Sequence, residues 1–446
     1  MKKILRTLIS MKTLVNPDQY KSKIKKTKVL QVVGKVIQVV GLVIEAQVQG
    51  VAVGELCKLM ITKEEFVFAE VVGFKDERVL LMPLDKVTGI KPGALIYAMG
   101  SPIKVKVGPK LLGRVLNGIG DPMDDKGELE YEALYPVDQD PPDPVKRPRI
   151  TEVFETGIKS IDGLLTLGMG QRIGIFAGSG VGKSTLMGML ARNCIADINV
   201  ISLIGERGRE VRDFIEESLG EEGLKKSVVI CATSDQPPVI RLKGALVGTA
   251  VAEYFRDQGK NVLFMMDSVT RFSMAQREVG LATGEPPTTK GYTPSVFALL
   301  PRLMERAGTS EKGSITAIYT VLVDGGDIDE PIADTSRGIL DGHIFLNRDL
   351  AAKNHYPCID VGHSVSRLFG PIASEEHKQA AGQMREVLAR YEEAEDLINI
   401  GAYSKGSNPK VDNAIDKIDA VNGFLRQRTD ENISFEDSLN QLKSMF

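Results

Sequence analysis

The stretch "FAGSGVGKST", residues 176–185, indicates the fold class of this chain of 446 residues. It follows the apolar run "QRIGIFA" and leads into the helix-forming run "STLMGMLARN". It fits the pattern A/G-x-x-x-x-G-K-S/T, in which glycines let backbone N–H groups surround a phosphate at the N-terminus of a helix. The alternative is a glycine-rich turn that happens to contain a lysine. A strand before the loop and a helix after it favour a phosphate-binding loop.

The polar positions of this loop have defined chemical roles. Lys183 is expected to neutralise the β and γ phosphates of a nucleotide, and the Ser184 hydroxyl is expected to bind Mg²⁺. The residues predicted to contact the nucleotide are Gly178, Ser179, Gly180, Val181, Gly182, Lys183, Ser184 and Thr185. A nucleotide and Mg²⁺ are therefore the expected ligands of the loop.

Two acids follow other apolar runs. Asp267 ends "NVLFMMD", and Glu206 lies in "IGERGREV". Because the carboxyl ends of parallel strands meet at one edge of a sheet, Asp267 can hold the magnesium through water there. From the same edge, Glu206 can orient the water that attacks the γ phosphate. The alternatives are a strand-capping aspartate for Asp267 and a surface acid at a helix N-terminus for Glu206.

The sequence around the loop predicts a parallel sheet. Its apolar, strand-like runs are "QRIGIFA", "NVISLIG", "SVVICAT", "NVLFMMD", "SITAIYTVLV" and "HIFLN". Such runs, separated by amphipathic helices, are typical of a sheet that is covered on both faces.

The flanking regions have different patterns. Several short β-rich runs between residues 29 and 101 predict a small β-barrel, with a doubly buried strand pair as the alternative. The proline-rich segment 138–150 predicts an extended connector. After Pro371 the strand signals end, and Ser374, followed by two glutamates, predicts the start of a helix.

We therefore expect four regions. They are a basic tail (1–28), a β-barrel domain (29–101), a nucleotide-binding domain (102–370) and a helical C-terminal domain (371–446). The predicted fold class is an α/β P-loop nucleotide-binding core with an N-terminal small β-barrel and a C-terminal α-helical domain.

Composition limits the classes of function. Hydrophobic residues make up 43% and charged residues 26% of the chain, as in soluble globular proteins. A net charge of -3 argues against a protein that coats nucleic acid, so no nucleic-acid partner is expected. The four cysteines form no CxxC pair and indicate reduced residues of a cytoplasmic protein.

Residues 1–28 form a local basic patch in which Asp18 is the only acid. Such a block is either a solvated tail or a contact for an anionic lipid surface or an acidic partner. It does not have the pattern of a signal peptide, because Arg6 interrupts the apolar stretch and no small-residue cleavage site follows.

The motifs taken together resemble those of a known family. The phosphate loop, "GERGRE" and "MMDSVTRF" occur in the order found in the ring ATPases that include the catalytic subunit of rotary ATP synthases. The segment "LLGRVLNGIGDPMD" shares this similarity, and "REVGLATGEPPTTKGYTPSVFALLPRLMERAG", "EPIADTSRGILDGHIFLNRDLA" and "HYPCIDVGHSVSRL" resemble most the flagellar and type III protein-export ATPases. This resemblance implies that the α/β P-loop core is a RecA-like ATPase core. The resemblance extends over nearly the whole chain from about residue 29. Ala177 replaces the first glycine of the loop, as is common among the export relatives.

This resemblance implies roles for individual residues. Lys183 and Ser184 match the phosphate and magnesium residues, Glu206 the catalytic glutamate, and Asp267 the second metal carboxylate. Further matches are an arginine beside that glutamate (Arg207), an arginine near the γ phosphate (Arg271), the arginine finger that reaches the neighbouring subunit's nucleotide (Arg367), and an aromatic residue that flanks adenine (Tyr356). A core tyrosine is the alternative for Tyr356. Non-catalytic relatives have glutamine where Glu206 stands, so the glutamate implies an active ATP hydrolase.

The resemblance also implies partners and a location. It implies a homo-oligomeric ring, expected to be a hexamer, because the arginine finger acts on a neighbour. The segment 277–308 is too rich in glycine and proline for regular structure, and its position implies that it faces a stalk protein in the ring centre. The acidic segment 324–331 is expected to form a loop at the same level. The basic tail matches the region that binds an export regulator and the membrane surface, and the helical domain would dock export chaperones and cargo. The expected location is the cytoplasm, peripherally at the inner face of the cytoplasmic membrane.

Five functions remain possible at this point. The favoured function is an ATP hydrolase for flagellar protein export, with an injectisome export ATPase as its near alternative. The others are a rotary synthase catalytic subunit, an RNA translocase and a regulatory ring component without turnover. The acidic net charge and the absence of Trp from the chain disfavour the translocase, and Glu206 disfavours the regulatory component.

Overall fold

The computed structural model describes residues 32–85, 88–323 and 327–446. The basic tail predicted at residues 1–28 lies outside this range, as do residues 324–326 of the predicted acidic loop. The described residues form two compact units. One consists of those in Met1–Met82 and Val87–Ser101, and the other of those in Pro83–Lys86 and Pro102–Phe446.

The first unit is a closed β-barrel. Within the described residues its strands are β1 (Val33–Val40), β2 (Val43–Gln47), β3 (Glu55–Met60), β4 (Phe66–Lys75), β5 (Arg78–Pro83) and β6 (Leu95–Pro102). They pair in the order β1-β2-β5-β4-β3-β6, and the antiparallel pairing of β1 with β6 closes the barrel. Alternate residues point inward, so that Leu59, Leu81 and Ile96 are fully buried in its core. The predicted barrel is confirmed.

The second unit is built around a mostly parallel sheet. The strands of this unit, in chain order, are β7 (Lys104–Val107), β8 (Val115–Asn117), β9 (Ala133–Pro136), β10 (Val153–Phe154), β11 (Leu167–Gly168), β12 (Arg172–Ala177), β13 (Ile198–Ile204), β14 (Ser227–Ala232), β15 (Asn261–Asp267), β16 (Gly308–Thr309), β17 (Ser314–Leu322), β18 (Gly342–Leu346) and β19 (Ile359–Ser366). The sheet has the order β19-β18-β12-β17-β15-β13-β14-β8, with β16 added beside β17. From β18 to β8 the neighbours run parallel, whereas β19 is antiparallel to β18.

Helices cover this sheet. They are α1 (Lys159–Leu164), α2 (Lys183–Asn193), α3 (Gly208–Asp213), α4 (Gly220–Lys225), α5 (Pro238–Asp257), α6 (Val269–Thr283), α7 (Pro294–Met304), α8 (Pro331–Ile339), α9 (Arg348–Ala352) and α10 (Phe369–Ile372). A π-helical turn, Phe214–Leu219, joins α3 to α4. Every residue of β13 and β14 is buried, as both-face coverage requires. The α/β core predicted from the apolar runs is confirmed.

The segment 277–308, predicted to be irregular, is helical at both ends, and the prediction was wrong there. Helix α6 continues to Thr283 and ends at Gly284, whose φ of 95° is the left-handed conformation that glycine supplies. Helix α7 begins at Pro294, a position where the missing N–H costs no hydrogen bond. The glycines and prolines thus end and start helices, and within this segment residues 284–293 and 305–308 lack an α-helix.

The chain ends in a helical region within the same unit. Its helices are α11 (Glu375–Asn399), α12 (Pro409–Leu425) and α13 (Phe435–Ser444). Ser374 Oγ accepts a hydrogen bond from His377 N at 3.3 Å, which confirms the predicted helix start. The ring of His377 is buried, and its Nε2 lies 2.7 Å from the carbonyl oxygen of Gly163 in α1. The C-terminal helices therefore pack directly on the nucleotide-binding core.

Candidate active site

The phosphate loop joins β12 to α2 with two glycines in the left-handed region. Gly180 has φ 78° and Gly182 has φ 82°, conformations that cost energy for residues with a Cβ. Val181 between them is buried and anchors the loop, while Ser179, Ser184 and Thr185 are exposed. The loop therefore faces solvent at the N-terminus of α2, where N–H groups and the helix dipole favour an anion.

Lys183 lies between the two acids predicted from the strand ends. Its Nζ lies 3.5 Å from Glu206 Oε1 and forms a shorter ion pair with Asp267 Oδ1. The parallel register of β13 and β15 pairs Leu203 with Asp267, which brings the carboxyl ends of both strands together. The structure therefore assembles these three side chains at one edge of the sheet.

The charges in this cluster are unequal. Burial and the charge of Asp267 raise the pKa of Glu206 to about 7, although the ammonium of Lys183 acts to lower it. Burial acts to lower the pKa of Lys183, but the charges of Asp267 and Glu206 outweigh it and raise that pKa. Two carboxylates share one ammonium, so the cluster favours an additional cation or a proton.

A second hydrogen bond fixes Asp267. The hydroxyl of Thr320 in β17 donates to Asp267 Oδ1 at 2.6 Å. The side chains of both residues are buried. The residue before Asp267 is paired with Tyr319 across the β15–β17 ladder, so the position of the hydroxyl follows from strand register. Sequence reasoning missed Thr320, because the same run also carries Ser314 and Thr316, and the pattern does not show which hydroxyl reaches the acid.

The donor set fits Mg²⁺. This ion prefers oxygen ligands and is usually held by one or two protein side chains together with substrate phosphates. The Ser184 hydroxyl and the Asp267 carboxylate are such oxygen donors beside the phosphate loop. Across the described residues no group of three or more His, Cys, Asp or Glu side chains could hold a metal without a substrate.

The two arginines predicted near this cluster differ in position. The side chain of Arg207 is 80% exposed and lies 3.6 Å from Glu210 Oε1. The side chain of Arg271 packs on Gly205, where an added Cβ would lie 2.8 Å from Arg271 Cβ. Arg271 Nε is buried and has no hydrogen-bond partner among the described residues. The structure thus packs the Arg271 side chain on Gly205, the residue before Glu206, and turns Arg207 towards solvent.

Arg367 lies at the other edge of the sheet. Its backbone N–H donates to Asp341 O at 3.0 Å, and the N–H of Asp341 donates to Arg172 O at the start of β12. The five residue steps from Arg172 to the end of β12 at Ala177 correspond to about 17 Å along the strand. The Arg367 side chain is exposed and donates to Arg337 O at 3.3 Å. It therefore does not join the cluster around Lys183.

Tyr356 borders a small cavity beside the phosphate loop. A Cβ on Gly182 would lie 3.7 Å from the Tyr356 ring, which is 44% exposed. The cavity measures about 80 Å³ and is mostly apolar. Its lining residues from the C-terminal region are Gln427 and Thr429, and Gln427 N donates to Tyr356 O at 3.0 Å. These two were not predicted, because they belong to an irregular segment between α12 and α13.

Comparison with known proteins identifies the family. The nucleotide-binding domain of the ATP synthase alpha/beta family matches residues 157–366, and the beta-barrel domain of that family matches residues 36–100. The T3SS EscN ATPase C-terminal domain matches residues 373–444. The flagellum-specific ATP synthase of Bacillus subtilis (strain 168) is 55% identical over 416 residues, which are 92% of this chain and 94% of that protein. The chain belongs to the ATP synthase alpha/beta family.

Further relatives place it among the export members of that family. The type 3 secretion system ATPase of Xanthomonas euvesicatoria is 53% identical over 396 residues, or 89% of this chain and 90% of that protein. The structure of assembled EscN from the enteropathogenic E. coli type III secretion system has a TM-score of 0.88 at 45% identity. The match covers 92% of this chain and 99% of EscN. EscN in complex with its central stalk EscO gives a TM-score of 0.86.

Family membership confirms the resemblance drawn from the motifs. The chain is an ATPase of the protein-export branch, and its nucleotide is ATP. The three-part fold class predicted from the sequence is also confirmed. None of the helices in the described residues is long and apolar enough to cross a membrane.

Proposed function

We propose that this export ATPase hydrolyses Mg-ATP at the cluster of Lys183, Glu206 and Asp267, and that hydrolysis energises or primes the export of flagellar or type III proteins. The observation that carries the proposal is the unequal charge at the phosphate loop. One ammonium serves two carboxylates, and the pKa of Glu206 is raised to about 7. A general base is most useful when its pKa lies near the working pH.

Each residue then has a separate task. Residues 178–185 surround the phosphates with N–H groups, and Lys183 turns from the carboxylates to the β and γ phosphates. Ser184 and Asp267 would hold Mg²⁺, which when bound neutralises developing phosphate charge. Glu206 orients the attacking water. Arg271 supports the loop that carries Glu206, and Tyr356 flanks the adenine at the cavity beside Gly182.

The position of Arg367 supports action in a ring. From the amino edge of the sheet it is about 17 Å of strand length away from its own phosphate loop, so it would complete the site of a neighbouring copy. Head-to-tail contacts of this kind generate closed rings. EscN was solved as an assembly and with a central stalk, and we propose a hexameric ring with a stalk protein in its centre for this chain too. Residues 284–293 would face that stalk.

The remaining partners are proposed from the outer regions. The helical C-terminal domain would dock export chaperones and their cargo. The basic residues 1–28 would bind an export regulator and an anionic membrane surface, which would hold this cytoplasmic protein at the inner face of the membrane. Arg207 would stabilise charge at the site or hold Glu206 in place, after its exposed side chain leaves Glu210.

The test separates binding from turnover. Glu206→Gln retains shape but removes the carboxylate, so it is expected to bind fluorescent ATP within about threefold of wild type and to lose about 10²–10⁴-fold in phosphate release. Glu216→Gln, which changes an exposed glutamate in the π-helical turn, is the matched control and should keep full activity. Full phosphate release by Glu206→Gln would refute the assignment. Flagellar or injectisome components that co-purify from native cells would then identify the machine.

A further inference from the structure

The buried hydroxyl of Thr320 is a feature of the site that the proposed chemistry does not use. Thr320 is fully buried in β17, the strand beside β15. Its Oγ1 lies 2.6 Å from Asp267 Oδ1 and 3.4 Å from Met266 O. A hydroxyl has one proton to donate, and the shorter contact to a carboxylate is the stronger hydrogen bond. The hydroxyl therefore serves the Asp267 side chain.

The geometry leaves one oxygen of Asp267 for another ligand. The hydrogen bond from Thr320 and the ion pair from Lys183 both use Oδ1, so Oδ2 takes part in neither. Thr320 is β-branched, which restricts its χ1 rotation, and its strand is hydrogen-bonded on both sides. Leu322 N also donates to Thr270 Oγ1 at 2.9 Å, which fixes the end of β17 against α6. The donor is thus held more rigidly than the long side chain of Lys183.

The two donors differ in what happens when ATP arrives. Lys183 is expected to move to the phosphates, and Asp267 then loses its ammonium partner. Thr320 cannot follow the phosphates from inside the sheet. We infer that Thr320 is a positioning residue, which keeps Oδ1 of Asp267 occupied so that Oδ2 faces the Mg²⁺ of the bound Mg-ATP. This inference rests on the proposed role of Asp267 as the metal carboxylate.

The test measures metal binding without relying on turnover. Thr320→Val replaces the hydroxyl with a methyl group of similar size that suits a strand. Mn²⁺, used as a paramagnetic substitute for Mg²⁺, can be titrated into the full-length protein with a non-hydrolysable ATP analogue. Residues that support a metal ligand contribute about 10–100-fold to metal affinity. Thr320→Val should therefore weaken Mn²⁺ binding about tenfold, leave analogue affinity in EDTA unchanged, and reduce kcat without a matching change in KM.

Matched variants separate positioning from stability. Thr316 lies on the same strand, is equally buried, and accepts a hydrogen bond from Gly170 N at 2.8 Å, away from Asp267. Thr316→Val should therefore lower thermal stability without changing Mn²⁺ affinity. Thr320→Ser keeps the hydroxyl and should bind Mn²⁺ within about threefold of wild type. If Thr320→Val does not fold, Thr320→Ala provides the same comparison with less bulk.

Each result points in one direction. Wild-type Mn²⁺ affinity in Thr320→Val, together with a large loss in Asp267→Asn, would overturn the role of Thr320 and leave the proposed function intact. Equal losses in Thr320→Val and Thr316→Val would make Thr320 a structural residue and overturn the inference. Unchanged affinity in Asp267→Asn would refute the metal role of Asp267 itself, and the inference would fail with it.

Discussion

The two edges of the central sheet both carry buried ionised side chains, but their charges are matched differently. At the amino edge, Arg306 donates through Nε and Nη2 to the two carboxylate oxygens of Glu253, at 2.9 and 2.7 Å. Its Nη1 donates to Val137 O at 2.9 Å, and both charged side chains are 2% exposed. At the carboxyl edge, Lys183 is shared by two carboxylates. At the amino edge each of these two charges has one opposite partner, whereas at the carboxyl edge the carboxylates outnumber the ammonium.

This difference separates a structural cluster from a reactive one. A bidentate pair with its lone pairs and protons satisfied has no need of a ligand. A cluster with an excess carboxylate gains when a cation or a proton arrives. Cavity size separates the edges less clearly, because a cleft of about 510 Å³ bordered by Tyr135, Asp257 and Lys312 lies at the amino edge, and one of about 360 Å³ borders Gly178 and Val181 of the phosphate loop. The cavity beside Tyr356 measures about 80 Å³. The charge imbalance marks the site more clearly than volume does.

Arg367 does not follow the rule that charged side chains at the amino edge are paired with opposite charges. It lies at this edge, but its side chain donates to a backbone carbonyl, Arg337 O, rather than to a carboxylate. If its partner is a neighbour's nucleotide, Arg367→Ala should lower kcat by about 10³-fold or more and change ATP affinity little. Mixing it with Glu206→Gln should restore up to about a quarter of wild-type turnover, because about one interface in four of a randomly mixed ring has both intact groups.

The complementation has a clear contrary result. If the mixture assembles but shows no more activity than the two variants separately, Arg367 does not act across an interface. Arg390→Ala is the matched control, because Arg390 in α11 pairs locally with Glu393 at 2.7 Å. That substitution should leave turnover unchanged.

Removing one charge from the pair of Glu253 and Arg306 should lower the folding stability of the protein rather than its rate of ATP turnover. Glu253→Gln leaves Arg306 buried without its carboxylate, and such a change costs about 3–5 kcal/mol of folding stability. The double variant Glu253→Met with Arg306→Met should recover most of the loss, since apolar replacements of a buried pair are often nearly neutral. Chemical denaturation of the three proteins measures this. ATP affinity of the folded single variant should stay near wild type, and a selective loss of affinity would place this pair in the site.

The residues at the carboxyl edge could be predicted from the sequence, whereas the pair at the amino edge could not. Lys183, Glu206 and Asp267 each follow an apolar strand, and parallel strands bring such positions to one edge, so local patterns were enough. Glu253 and Arg306 are far apart in sequence; Glu253 lies in α5 and Arg306 in the turn after α7, and the apolar-run pattern gives neither of them a role. Nothing local indicates that they pair, because the contact depends on how α5 packs near the start of β16.

The same distinction explains the other misses. Gln427 reaches the cavity beside Tyr356 from a loop whose position depends on packing of the C-terminal helices. The wrong loop assignment at 277–308 came from counting glycines and prolines without asking whether they lie at helix ends, as Gly284 and Pro294 do. Arg207 matched a motif by position, yet its exposed side chain pairs with Glu210 and contacts neither Lys183 nor Asp267 in the described contacts.

The smallest expected effect is a change in the pH dependence of folding stability, which tests the excess of carboxylates around Lys183. The pKa of Glu206 is raised from its ordinary value to about 7, so the folded, nucleotide-free protein binds this proton more tightly than the unfolded chain does. The stabilising contribution is fully present below the unfolded-state pKa of about 4.5 and is lost as the pH rises through about 7. Glutamine cannot ionise. Glu206→Gln should therefore gain stability relative to wild type between pH 5 and pH 8, by on the order of 1–2 kcal/mol.

Thermal unfolding without nucleotide at several pH values measures this difference, with Glu216→Gln as the exposed control that should show no trend. A difference that stays constant or shrinks as the pH rises would mean that Lys183 compensates both carboxylates. The carboxyl edge would then be as balanced as the pair of Glu253 and Arg306, and the argument that unmatched charge prepares this edge for Mg-ATP would fail. A difference that grows as the pH rises would show that the ionised carboxylate of Glu206 destabilises the nucleotide-free protein, and that Lys183 alone does not neutralise it together with Asp267.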